Sequence, residues 1–170
     1  MTLRTNARLA GYAYILYFVA GVATMLVRGR PGAVNVLTVV TSFCALVLGV
    51  TLYAITRDQD RDVAMLAMLC RVLEAVPGEG AIYFAVGSTL FAWLLLRGRM
   101  IPIPLAWLGV ASSFALVVLL TVQLAGIFTF DWSSPVTWFV WLPTLIFELT
   151  FAGWLLTKGV VHTTEAVIIK

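Results

Sequence analysis

The chain has 170 residues, 62% of them hydrophobic and 11% charged, with a net charge of +3 and a mean hydropathy of +1.02. Soluble domains run at about 45–50% apolar and about 25% charged residues, so this composition excludes a soluble globular domain. The basic excess does not indicate nucleic acid, because the arginines and lysines lie in short gaps between apolar runs and form no patch.

The first apolar run, Leu9–Val27, follows Arg4 and Arg8. Gly21 and Ala23 would suit signal-peptide cleavage, but the run is long enough to span a bilayer and reads as a retained signal anchor. Tyr12, Tyr14 and Tyr17 with Phe18 either flank a ligand there or pack as aromatics. The second run, Ala33–Thr56, is bounded by Arg28-Gly-Arg30-Pro31 and by the charged stretch Arg57–Asp62. Its polar residues Asn35, Thr38, Thr41 and Ser42 either line an interior or bond between helices. Val63–Pro77 and Ala81–Leu96 are shorter. Their join, Pro77-Gly-Glu-Gly80, is a strong breaker and reads as a tight extracytoplasmic turn, with a thin or re-entrant region as the alternative. Pro102–Gly126 carries its prolines in the first turn, where no helical N–H is lost. Val136–Thr157 is the sixth run and ends at Lys158-Gly159; Pro143 is expected to kink it one turn before Glu148 and free carbonyls near that acid.

These runs predict an all-α integral membrane bundle of six transmembrane helices in a single domain. With six crossings, Arg4, Arg8, Arg57, Arg61, Arg97, Arg99, Lys158 and Lys170 share one side, and Arg28 and Arg30 the other. That bias places both termini in the cytoplasm. Trp93, Trp107 and Trp154 fall near the predicted inner boundary and Trp132, Trp138 and Trp141 near the outer one, as interfacial aromatic belts do. Small residues at close to i, i+4 spacing, Ala81, Ala85, Ser88 and Ala92 on helix four and Gly109 and Ser113 on helix five, allow close helix packing.

Three ionisable residues interrupt the apolar runs: Arg71, Glu74 and Glu148. A charge at the bilayer centre costs about 3 kcal/mol on insertion scales, so such residues face a protein interior and pair. Arg71 and Glu74 share a helix face. Arg71 lies eight residues beyond Val63 and Glu148 nine residues before Thr157, so their depths nearly coincide. Arg71 is therefore expected to bridge helix three to Glu148 on helix six, with Glu74 on the same guanidinium, whose planar fork suits two carboxylates. Two ionised acids beside one cation leave an uncompensated charge, so one of them, more readily Glu74, is expected to hold a proton. The intramembrane cluster serves either as a structural clasp or as a proton-carrying site, and Asn35, Thr38, Ser42, Tyr17 and Pro143 are candidates to line it. Glu79 and Asp131 read as solvated loop residues.

No catalytic constellation is visible, and no cofactor or metal is expected. The single histidine, His162, lies near the C-terminus, Cys44 and Cys70 lie inside apolar runs, and no lysine falls within a span. Bis-histidine haem, a zinc site and a retinal Schiff base have no ligands here. P-loop, Rossmann, G-x-S-x-G and H-E-x-x-H motifs are likewise missing from the sequence.

The order of features resembles a bacterial family of multi-pass membrane proteins of unknown function. Arg8-Leu-Ala-Gly-Tyr12 is similar to its R-x-A-G-x-x-Y opening, and Leu52-Tyr53-Ala54 follows at the end of helix two. Arg71-Val-Leu-Glu74-Ala75 is similar to its R-x-x-E-A signature. Leu96-Arg97-Gly-Arg99-Met-Ile101-Pro102, then Leu108-Gly109, resemble its short positive loop and the helix beyond. Phe147-Glu148-Leu149 leading to Trp154-Leu-Leu-Thr-Lys158-Gly159 resembles its close. The resemblance implies six helices, ties Arg71, Glu74 and Glu148 into one motif set, and brings no established activity. The expected function is a non-enzymatic accessory or binding component of the bacterial inner membrane, in contact with lipid and with a membrane-protein partner or a second copy. A proton-linked transporter using Glu74 or Glu148, and an enzyme acting on lipid or quinone, are the alternatives.

Overall fold

The computed structural model describes residues 2–76, 80–127, 129 and 135–160. The readings made for Pro77, Glu79, Asp131, Trp132, His162 and Lys170 lie outside the described residues. Six α-helices follow in chain order: α1 (Leu3–Leu26), α2 (Pro31–Thr56), α3 (Arg61–Glu74), α4 (Gly80–Arg97), α5 (Ile103–Leu124) and α6 (Pro135–Thr157). Among the described residues there are no strands.

The helix ends follow local chemistry more closely than hydropathy. α1 begins six residues before its apolar run, because Thr2 caps it by accepting from the Thr5 N–H. α3 begins at Arg61, not Val63, because the Asp60 carboxylate accepts from the Val63 N–H at 3.1 Å. The other oxygen of Asp60 meets Arg97 Nη1 at 3.3 Å, joining the α2–α3 turn to the end of α4. That ion pair is exposed and contributes little, whereas the cap supplies about 0.5–2 kcal/mol. Asp60→Ala is therefore expected to lower stability by about 1 kcal/mol, and Asp60→Asn, which keeps a capping oxygen, by much less; thermal unfolding in detergent separates the two.

Each helix packs on the next, and α6 returns to pack on α1, so the six form a closed ring. Inside lie Tyr14 of α1, Leu48 and Leu52 of α2, Ala67 of α3, Phe91 of α4, and Phe147 and Phe151 of α6, all buried. Glycines set two of the approaches. A Cβ on Gly109 of α5 would lie 2.5 Å from Cζ of Phe147, and one on Gly11 of α1 would lie 2.7 Å from Cγ of Leu156.

The outer faces are apolar: Val36, Val39, Phe43, Trp107, Phe114 and Phe139 are all exposed. A soluble monomer does not present so continuous an apolar surface to water. Five helices, α1, α2, α4, α5 and α6, are long and apolar enough to cross a membrane, so the chain is a multi-pass membrane protein. α3 differs. Its 14 residues span about 21 Å, short of a hydrocarbon core of about 30 Å.

Its end lies deep within the ring. Ser42, eleven residues along α2 from Pro31 and thus about 16 Å from that helix's start, donates to the Ala75 carbonyl at 3.2 Å. Backbone groups at membrane depth need a protein partner, and this hydroxyl supplies one where α3 stops. Gly80 then opens α4 close above, where a Cβ would stand 2.9 Å from the Glu74 carbonyl oxygen.

Candidate functional site

Arg71 occupies the last turn of α3 and is completely buried. Its Nη1 donates to Oε2 of Glu74 at 2.9 Å. Its Nη2 donates to Oγ of Ser88 on α4 at 2.8 Å and, at 3.4 Å, to the hydroxyl of Tyr14 on α1. Glu148 Oε1 on α6 lies 3.6 Å from the same Nη2, an ion pair without hydrogen-bond contact. The guanidinium carbon stands 4.9 Å from the Phe84 ring centroid and 5.9 Å from that of Tyr14, within cation–π range. One side chain thus gathers groups from α1, α3, α4 and α6.

Glu74 is fully engaged. Besides Arg71, it accepts at 2.7 Å from the hydroxyl of Tyr17 on α1. Tyr14 and Tyr17 are three residues apart, as are Arg71 and Glu74, so two parallel helices present matching pairs at the same level. Glu148 is less well satisfied: its buried Oε1 accepts no hydrogen bond. Four residues earlier on the same face, the buried Thr144 hydroxyl also has no hydrogen-bond partner.

Beyond the last turn of α3 lies a cavity of about 470 Å³. Tyr17, Phe18, Gly21, Val22 and Met25 of α1 form one wall, Ala81 and Phe84 of α4 another, and Trp138, Trp141, Thr144, Leu145 and Glu148 of α6 a third, with Glu74 also in the lining. Phe84 and Trp141 are stacked with centroids 6.0 Å apart. The lining runs from the acids toward the end of the molecule where α1 finishes and α4 and α6 begin. Toward the opposite end the interior is filled by Tyr14, Phe147 and Phe151, whose rings stack edge-on and face-on at 5.7 and 5.5 Å.

The structure therefore brings Arg71, Glu74, Glu148 and Tyr17 together. Asn35 and Thr38, expected as lining, are exposed on α2 and outside the cavity wall; Thr38 returns its hydroxyl to the Val34 carbonyl at 2.9 Å, which satisfies it without an interior. Ser42 closes the end of α3 and does not line the cavity. Pro143 lies within α6 beside the wall residues Leu142 and Thr144 but is not itself in the lining. Sequence reasoning missed Ser88 and Tyr14 as partners of Arg71. Ser88 read as one of several small packing residues, and the signal available was only the shared spacing of the tyrosine and Arg–Glu pairs.

Tyr17→Phe removes one donor from Glu74 while keeping the ring. The expected loss of stability is about 1.5–3 kcal/mol, the range for a hydrogen bond to a charged acceptor, read as a fall in thermal midpoint in detergent. Tyr12→Phe, on an exposed side chain of the same helix, is the matched control and should be silent.

Among the described residues no group of histidine, cysteine and acidic side chains could hold a metal ion. Cys44 and Cys70 are free and buried. No curated protein and no solved structure matches the chain. The family described as Domain of unknown function (DUF4386) matches residues 78–159, just under half of the chain. That stretch holds α4, α5 and α6 with Ser88, Thr144 and Glu148, while Arg71-Val-Leu-Glu74-Ala75 precedes it. Over its C-terminal half, then, the chain is similar to a family of unknown function, and the match covers α4, α5 and α6.

Proposed function

We propose that this protein is a non-enzymatic binding component of the bacterial inner membrane, with both termini cytoplasmic. Its Arg71–Glu74–Glu148 cluster holds α3 and α6 together and forms the floor of a ligand cavity open toward the extracytoplasmic side. The observation that carries this reading is the one-sided cavity: 470 Å³ with two carboxyls in its wall, and aromatic side chains filling the interior on the other side of Arg71. Pockets of about 300–1,000 Å³ that are mostly apolar with a few convergent polar groups are where small ligands bind. The charge asymmetry of the loops supports the orientation, and the exposed apolar faces support contact with lipid, a partner or a second copy.

Two carboxyls on one guanidinium also suit a proton carrier, and one experiment decides between the readings. Liposomes containing the protein are expected to hold an imposed pH gradient as well as empty liposomes. Proton flux that disappears in Glu148→Gln, with an unchanged thermal midpoint, would establish a transporter instead.

A further inference from the structure

Resting on the binding reading above, we infer that the cavity selects an organic ammonium ion with an apolar body, its N–H groups donated to the Glu148 carboxylate. The acids in the wall are Glu74 and Glu148, and Arg71 is not part of the lining. A ligand entering the cavity therefore meets carboxyl oxygens and no cation. An anionic headgroup would face both acids unaided; a cation would not.

The hydrogen-bond inventory assigns the contact to Glu148. Both oxygens of Glu74 already accept, from Tyr17 and from Arg71. Glu148 Oε1 is buried toward Arg71, 3.6 Å from a guanidinium nitrogen committed to Ser88 at 2.8 Å, which leaves the other oxygen of this wall residue to meet a ligand. An ammonium group has three donors and no acceptor, which matches a wall whose charged groups are acceptors. With both acids ionised it also balances the charge, since one arginine faces two acids. The rest of the wall fits the same ligand: Phe18, Val22, Met25 and Leu145 give apolar surface to its body.

Three probes that share a phenylethyl group and differ in charge test this: phenethylamine, phenethyl alcohol and 3-phenylpropionate, titrated calorimetrically at pH 7 into protein in an uncharged maltoside detergent. The amine is expected to bind one per chain and at least about tenfold tighter than either analogue. Glu148→Gln should abolish that preference. Gly21→Phe guards against variants that fail to fold. It touches neither acid, a Cβ there meets nothing within 4 Å, and the ring should fill the cavity and block all three probes.

Alcohol or carboxylate binding as tightly as the amine, with Gly21→Phe blocking them all, would overturn the ammonium assignment and leave the cavity as a binding site. Amine binding that survives Gly21→Phe, or no saturable amine binding at millimolar concentration, would overturn both. The same chemistry is carried by free amines and by aminophospholipid headgroups. Competition by added phosphatidylethanolamine, but not by phosphatidylglycerol, supports the assignment with a lipid as its source; no competition supports it with a free amine.

Discussion

Replacing Arg71 with methionine is expected to destabilise the protein by about 3–5 kcal/mol, the cost of stranding a buried charge. Methionine keeps much of the stem's volume, so the loss reports the guanidinium and not a cavity. The guanidinium serves Glu74, Ser88, Tyr14 and Glu148 from four helices. Without it, two largely buried carboxyls lose their shared cation, and Glu74 keeps one donor, the Tyr17 hydroxyl. Arg71→Lys should fail almost as badly: an ammonium on a shorter reach cannot span Glu74 and Ser88 with a planar fork. Triple replacement by Met, Gln and Gln at Arg71, Glu74 and Glu148 removes the stranded charges together. It should recover most of what the single change loses, because a buried ionic cluster contributes less net stability than its disruption costs.

A second large effect is expected where no charge is involved. Gly109→Val should lower stability by about 1–3 kcal/mol or more, the range for overpacking a filled interior. The added Cβ would stand 2.5 Å from Cζ and 2.6 Å from Cε2 of Phe147. That ring cannot turn away freely, because it stacks on Phe151 at 5.5 Å with the planes 7° apart, and Phe151 in turn abuts Tyr14 of the charged cluster. In lipid, helices gain little from hiding apolar surface from one another, and close packing carries the association. The damage should therefore spread from the α5–α6 contact to the cluster. Gly21→Ala, in open space on the cavity wall, is the control and should be neutral or slightly stabilising, since alanine favours helix by about 1 kcal/mol over glycine. Thermal unfolding of both variants in the same detergent compares them.

Much of this arrangement is legible in the amino-acid order, for a reason peculiar to membranes. A charge inside an apolar run has few tolerable surroundings, so Arg71, Glu74 and Glu148 stand out, and equal depth from the same boundary already matches Arg71 with Glu148. Neutral polar residues carry no such constraint. Thr38 bonds back to its own helix and stays exposed, while Ser88, indistinguishable from its alanine neighbours by composition, is the closest partner of Arg71 on α4. Hydropathy also hides where a helix stops. The run containing α3 stays apolar through Val76, yet α3 ends at Glu74, with Ser42 closing it from α2. Since the cavity lies just past that ending, its existence could not be read from the spans alone.

Everything proposed for the site depends on Arg71 and Glu148 acting on one another across the ring. A double-mutant cycle between Arg71→Met and Glu148→Gln, measured by reversible unfolding in detergent, tests this most directly. The account predicts strong coupling: the second change should cost at least about 1 kcal/mol less in the Arg71→Met background than in the intact protein. Losses that add within about 0.3–0.5 kcal/mol, as they do for independent positions, would contradict it.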